Sequence, residues 1–238
     1  MKKPIFFLRL AGLLFSALVL LGGCSKDKAG PMSQEIRLAN FEGLEVKSGA
    51  AVVLTEGPTQ KVELRGGNAD VLRQLRTDVD NDGTWKVEFD GNVPDQDRMT
   101  IEVTMPRLRR LILTGPGAVR GINPFTFSDV SIVNTGSGSI SLGLVATAVN
   151  VEVKGSGPVE LVGTTANQTV SVTGSGFYRG FGLSSANTDA TVSGSGDAEV
   201  WATSTLRATV PGSGNVRYKG RPVITATTPG SGRVIDSN

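Results

Sequence analysis

A Gly-x-Gly element recurs seven times, starting at Gly115, Gly136, Gly155, Gly174, Gly194, Gly212 and Gly230. The steps between them are 21, 19, 19, 20, 18 and 18 residues, a period of about 19. Glycine makes up 31 of the 238 residues, yet abundance alone does not produce even spacing. A fixed period marks a repeat architecture, in which each unit buries its apolar face only against its neighbours. A four-stranded propeller blade needs about 40 residues, twice this period. One coil of a parallel β-helix fits, with successive coils about 4.8 Å apart.

The flanks of each element support this reading. Val151-Glu152-Val153, Val170-Ser171-Val172 and Ala190-Thr191-Val192 precede it, and Ile140-Ser141-Leu142 and Val159-Glu160-Leu161 follow it. Alternation with period two, rich in Val and Thr, predicts strands with one buried face. The glycines are expected to supply positive φ and a tight bend. The intervening serines are expected to hydrogen-bond from coil to coil. The third residue after each element runs Glu160, Arg179, Glu199 and Arg217, which predicts opposite charges on neighbouring coils. Inner positions shrink toward Ala226 and Thr228 in the last repeat. Residues 35–110 repeat less regularly and read as an N-terminal cap with divergent first coils. A short helix from Asn68 is expected there, with Asn68 as its N-cap.

The first 23 residues have a different character. Lys2, Lys3 and Arg9 precede an uncharged run from Leu10 to Leu21, then Gly22 and Gly23. This is the pattern of a secretory signal peptide over residues 1–23. Leu21-Gly22-Gly23-Cys24 also resembles the bacterial lipobox, whose Cys is cleaved to the N-terminus and acylated. The chain's single Cys stands at that position. Residues 24–35 then read as lipid anchor and flexible tether, and residues 36–238 as the folded domain. The resemblance implies a membrane partner through lipidated Cys24. Ser25, standing where an inner-membrane retention Asp would be, points to the outer membrane or cell surface. Lys26, Asp27 and Lys28 fit a surface-export signal equally well. Removing the leader takes three of 24 basic side chains and none of 22 acidic ones, so the formal charge falls from +2 to −1. The apparent basicity is a targeting feature, and no nucleic-acid partner is expected.

Phe41-Glu42-Gly43-Leu44-Glu45-Val46, Leu108-Arg109-Arg110-Leu111-Ile112-Leu113-Thr114-Gly115 and the serial Gly-Ser-Gly strands resemble the auto-transporter adhesin head, or GIN, domain family. The resemblance covers roughly residues 36–236. It implies an all-β fold, a right-handed parallel β-helix of about 19 residues per coil, in bacterial secreted or lipid-anchored envelope proteins. It brings no catalytic residues. Pro116 departs from the Ser of later repeats.

The composition closes several chemistries. With no His and one Cys there is no His-based triad, no disulfide within the chain and no Cys- or His-rich metal site, so no metal or cofactor is expected. Gly-Ser-Gly lacks the spacing of a nucleophile elbow. Phosphate loops need a following helix, and strands follow here. Many β-helix proteins cleave acidic polysaccharides, and Glu152, Glu160, Asp189, Asp197 and Glu199 fall in neighbouring repeats. They occupy different repeat positions, so solvated register charges are the favoured reading. Phe181, Trp201 and Lys219 share one repeat position, beside Arg179 and Arg217. They form the candidate ligand-binding face, for a glycan or protein ligand. Arg107-Leu108-Arg109-Arg110 reads as a solvated strand face. The leading function is a non-enzymatic envelope protein that presents a β-helix for adhesion or ligand binding. The alternatives are a polysaccharide-active enzyme and a structural or assembly component. The open end of the stack is a candidate surface for homo-oligomers.

Overall fold

The computed structural model describes residues 33–238. The leader, Cys24 and the tether up to residue 32 lie outside the described residues. The chain is nearly all β, a solenoid of about seven turns with about 19 residues per turn. Its strands are β1 Ser33–Ile36, β2 Gly43–Val46, β3 Ala51–Glu56, β4 Lys61–Arg65, β5 Thr84–Val87, β6 Thr100–Met105, β7 Arg110–Leu113 and β8 Ala118–Gly121. They continue as β9 Phe125–Asn134, β10 Ser139–Val153, β11 Val159–Val172, β12 Tyr178–Val192, β13 Ala198–Thr209, β14 Val216–Lys219, β15 Val223–Thr227 and β16 Val234–Asp236. Among the described residues there is one α-helix, α1, over Ala69–Gln74, and a 3-10 turn over Gln96–Arg98.

From β7 onward the coils stack in chain order and in parallel. Val151 pairs with Val170 and Val153 with Val172. These continue to Ala190 and Val192 in the next coil. All six side chains are buried, as the alternation requires. Burial of such an aliphatic row removes apolar surface from water at roughly 25 cal/mol per Å². Asn134 takes one place in this row and is fully buried. Its amide donates to the Gly138 carbonyl at 2.9 Å, and its Oδ1 accepts from Gly136 N–H at 3.1 Å. The turn thereby satisfies the polar side chain that interrupts the apolar row.

The repeated glycines serve close approach, and the expectation of positive φ is corrected. Positive φ occurs at Gly66, Gly83, Gly91, Gly163 and Gly220, none of them in a Gly-x-Gly element. A Cβ at Gly157, Gly196 or Gly214 would stand 1.8 Å from the carbonyl oxygen of the glycine one coil earlier. The stacked turns instead bond backbone to backbone, Gly176 N–H to Gly155 O at 3.0 Å and Gly214 N–H to Gly194 O at 3.1 Å. The serine ladder is also corrected. Only Ser231 Oγ reaches the next serine, Ser213 Oγ, at 3.2 Å among the described residues. The other serines of the elements are exposed.

The first coils do not stack in chain order. Strand β2 lies between β5 and β7, and β3 lies between β6 and β8. The coil of β5 and β6 therefore sits outside the coil made earlier, and the chain then crosses back to continue the stack. Strand β4 pairs antiparallel with β6, and β1 antiparallel with β4, which closes this end. Trp85 fills the interior here, fully buried, 5.4 Å from the Phe41 ring. Its indole N–H donates to the Arg76 carbonyl at 2.9 Å. Helix α1 starts where expected, with Asn68 Oδ1 accepting from Asp70 and Val71 N–H. At the other end β15 is exposed throughout, Val223 by 76%.

Candidate ligand groove

Two outward rows of side chains run along the solenoid axis, two residues apart in each coil. The first runs Asp129, Ala148, Asn167, Asn187, Thr205 and Val223. The second runs Ser131, Asn150, Thr169, Asp189, Arg207 and Thr225. A cavity of about 720 Å³ lies over the earlier coils and one of about 420 Å³ over the later ones. Both are lined by Asn167 and Thr169, so they form one trough. Six strand positions at about 4.8 Å give it a length of roughly 24 Å.

The rows are hydrogen-bonded along the axis. Asn187 Nδ2 donates to Asn167 Oδ1 at 3.2 Å, and Thr205 Oγ1 donates to Asn187 Oδ1 at 2.8 Å. Arg207 stands 3.7 Å from Asp189. Arg107 and Arg109, at the far end, meet Glu42 at 3.6 and 2.7 Å. Each guanidinium in the trough thus has a carboxylate beside it. What remains free is mostly amide and hydroxyl, groups that both donate and accept.

Beneath the rows the core turns polar. Gln168, Thr188 and Ser185 are buried, and Tyr178 is fully buried. Gln168 Nε2 donates to the Tyr178 hydroxyl, and Thr188 Oγ1 donates to Gln168 Oε1 at 3.4 Å. Ser185 Oγ bonds Thr188 Oγ1 and donates to the Trp201 carbonyl at 3.1 Å. Burial pushes the Tyr178 phenol well above its ordinary pKa. The network fixes the groove floor against the strand that carries Trp201. Sequence reasoning missed both groove and network. The available signal was the inward row Val149, Gln168, Thr188 and Leu206, which is polar in its two middle coils.

The face built on Phe181, Trp201, Lys219, Arg179 and Arg217 is placed as follows. Arg179 pairs in register with Glu160 and Glu199, and Glu199 with Arg217. The register matches the expectation, but no ion pair forms within this row among the described residues. Arg217 turns instead to Asp197, at 3.5 Å. Trp201 opposes Lys219 in β14. Toward β12 the register shifts between Gly180 and Ser184, so Trp201 opposes Ser184 and Phe181 sits in a bulge. The simple ladder of three is therefore broken. Lys219 spans the intervening coil and places its Nζ over the Phe181 ring, 4.5 Å from the centroid.

The carboxylates do not converge. Asp189 faces Arg207, and Asp197 accepts from Asn215 and faces Arg217. Glu152 pairs with Lys154. Among the described residues no cluster of three or more His, Cys, Asp or Glu could hold a metal ion. Arg107, Arg109 and Arg110 pair with Glu42 and Asp82, a solvated face.

The profile of the family described as "Putative auto-transporter adhesin, head GIN domain" matches residues 40–222. The chain belongs to this family. Among solved structures, a putative adhesin of Bacteroides fragilis is 22% identical with a TM-score of 0.82, over 88% of this chain and 98% of the other. A putative adhesin of Parabacteroides distasonis gives 22% and 0.70, over 88% and 98%. A putative lipid binding protein of the same species gives 21% and 0.69, over 89% and 98%. At these identities the likeness shows a shared fold. Comparison with curated proteins gives no match. The GIN-domain solenoid thus spans nearly the whole described chain, cap included.

Proposed function

We propose that this GIN-domain protein is a non-enzymatic, lipid-anchored adhesin of the outer membrane or cell surface, and that its axial groove takes an extended glycan. The groove is the observation that carries the reading. Its amide and hydroxyl rows repeat at the coil spacing, so they can bond a polymer that offers hydroxyls at regular intervals. Its arginines are already neutralised, so a neutral chain suits it better than a polyuronate. Carboxylates dispersed over separate coils, with Asp189, Asp197 and Glu152 paired to cations, favour binding over glycoside hydrolysis, which needs a convergent pair. The lipobox at Cys24 supports anchoring by several acyl chains, enough to hold a protein on a membrane.

A glycan array probed with the mature chain tests the ligand. Asn187→Ala should lower affinity about tenfold, because it removes partners from both neighbouring coils. Unchanged affinity refutes the groove. Cys24→Ser should move the protein from the membrane fraction to the soluble one, and retention refutes the anchor. Polysaccharide turnover that disappears in Asp197→Ala or Glu199→Ala would overturn the non-enzymatic reading.

A further inference from the structure

We infer that the groove is closed at its β7 end and open at its β15 end, so that it binds a glycan by one chain terminus, with the terminal sugar seated against Asp129, Arg107 and Arg109. The inference rests on the glycan reading above and adds which part of the polymer is held.

Both outward rows stop at the same end. The second row passes from Ser131 to Arg110, then to Gly43 and Thr84. Gly43 and Thr84 are buried, so the row is covered there. The first row would continue from Asp129 to the residue two before Arg110. That residue is Leu108, which is buried. The segment 106–109, which carries the chain from β6 into β7, takes the place of a further outward coil and lines the cavity. It is held from two sides. Arg109 N–H donates to the Glu42 carbonyl at 2.8 Å, and Ser131 N–H donates to the Arg109 carbonyl at 2.9 Å. The Glu42 carboxylate braces the guanidiniums of Arg107 and Arg109. At the other end β15 pairs with β13 alone, and Val223 and Thr225 are exposed. An extended chain can leave the groove over β15 and is stopped at β7.

The closed end is also the roomier and the less occupied. Its cavity is about 720 Å³, against about 420 Å³ over the later coils. Ala148 stands in the first row between Asp129 and Asn167, and its small side chain leaves the space. Farther along, Asn167, Asn187 and Thr205 bond to one another. At the closed end, Ser128, Asp129, Ser131 and Asn150 line the cavity, and no side-chain hydrogen bond or ion pair among the described residues engages them. A terminal sugar has one more free hydroxyl than an internal one, and the free partners gather where it would sit. The Asp129 carboxylate only accepts and the arginine N–H groups only donate, so together they can hold a pair of sugar hydroxyls. Arg107 and Arg109 stand with Glu42 and Asp129, and Arg110 with Asp82, so the charges balance and a neutral terminus fits.

Calorimetric titration of the mature chain tests this with neutral gluco-, manno- and xylo-oligosaccharides of two to eight units and with the polymer of each. The rows extend roughly 24 Å, so affinity should rise with length up to about five or six units and then level off. Every longer chain, polymers included, should bind one protein. Asp129→Ala should weaken a disaccharide and a hexasaccharide alike, about tenfold. Thr205→Ala, toward the open end, should weaken the hexasaccharide about threefold and leave the disaccharide unchanged. Both sites are exposed, so thermal midpoints should hold. Protein bound per chain that grows with chain length overturns the inference and leaves the glycan reading standing, because such chains are held along their interior. A disaccharide indifferent to Asp129→Ala does the same. A panel in which nothing binds overturns both.

Discussion

Gly196→Ala separates close approach from backbone conformation as the reason for the repeated glycines. The added methyl would stand 1.8 Å from the Gly176 carbonyl oxygen, and ordinary contact begins near 3.4 Å. The coils must open by more than an ångström at this turn. Three backbone bonds depend on it: Ser195 and Gly196 N–H to Gly174 O, both at 3.2 Å, and Gly214 N–H to Gly194 O at 3.1 Å. Lost bonds of this kind cost about 1 kcal/mol each, and more where the group stays buried. With disturbed packing of the buried Val192, the expected loss is about 3–5 kcal/mol. For a domain of this size that lowers the thermal midpoint by about 10 °C. Gly143→Ala is the control. Its Cβ would meet only Pro124 and Val162, at 3.5 Å and beyond, and its φ is not positive. The reasoning therefore allows it less than about 1 kcal/mol. Paired melts followed by circular dichroism decide the matter. Equal midpoints for the two variants would refute the steric account.

Gln168→Leu should destabilise the fold by about 2–4 kcal/mol, because the Tyr178 hydroxyl and Thr188 Oγ1 lose their buried partner; urea unfolding within experimental error of the parent would sink this. Asn134→Val should cost about 1–2 kcal/mol in the same assay, since the Gly138 carbonyl loses its side-chain donor and Gly136 N–H keeps only the Leu113 carbonyl, while Val fits the aliphatic row. Glu63 titrates below its ordinary value, chiefly through its hydrogen bond with Lys61, with Ser33 adding a second. A depressed folded-state pKa contributes stability above the unfolded value and loses it as pH falls through the folded one. Protection factors of the β1 and β4 amides should therefore fall on acidification below the ordinary Glu range, and Glu63→Gln should flatten that response.

The repeat made much of the fold legible. Alternating Val and Thr around Gly-x-Gly determined the strands, their inward rows and the register of Glu160, Arg179, Glu199 and Arg217, because one coil resembles the next. Where coils differ, the sequence was silent. The stacking order of β2, β5 and β7 depends on Trp85 and Phe41 meeting in the interior, a contact between residues far apart in the chain. The bulge at Phe181 depends on Gly180 and Gly182, where a side chain would strike Tyr178 and Val162. Local pattern cannot show either. The groove escaped for a different reason. Its rows consist of ordinary solvent-facing Asn and Thr, and only stacking turns such residues into continuous rails.

The division of labour between rows explains why a solenoid can acquire binding surfaces without losing its fold. The turn glycines cannot vary, since each Cβ would strike the coil before it. The inward rows can vary only with their neighbours, since each side chain packs within a closed core. The outward rows face fewer constraints, and the first groove row changes along the axis: Asp129, Ala148, Asn167, Asn187, Thr205, Val223. Its amides stand in the middle, above the buried network of Gln168, Thr188 and Ser185. Asn187→Val should keep the thermal midpoint within a few degrees, because the site is exposed. It should lose glycan binding on the array. If binding survives the exchange, this row does not carry the ligand.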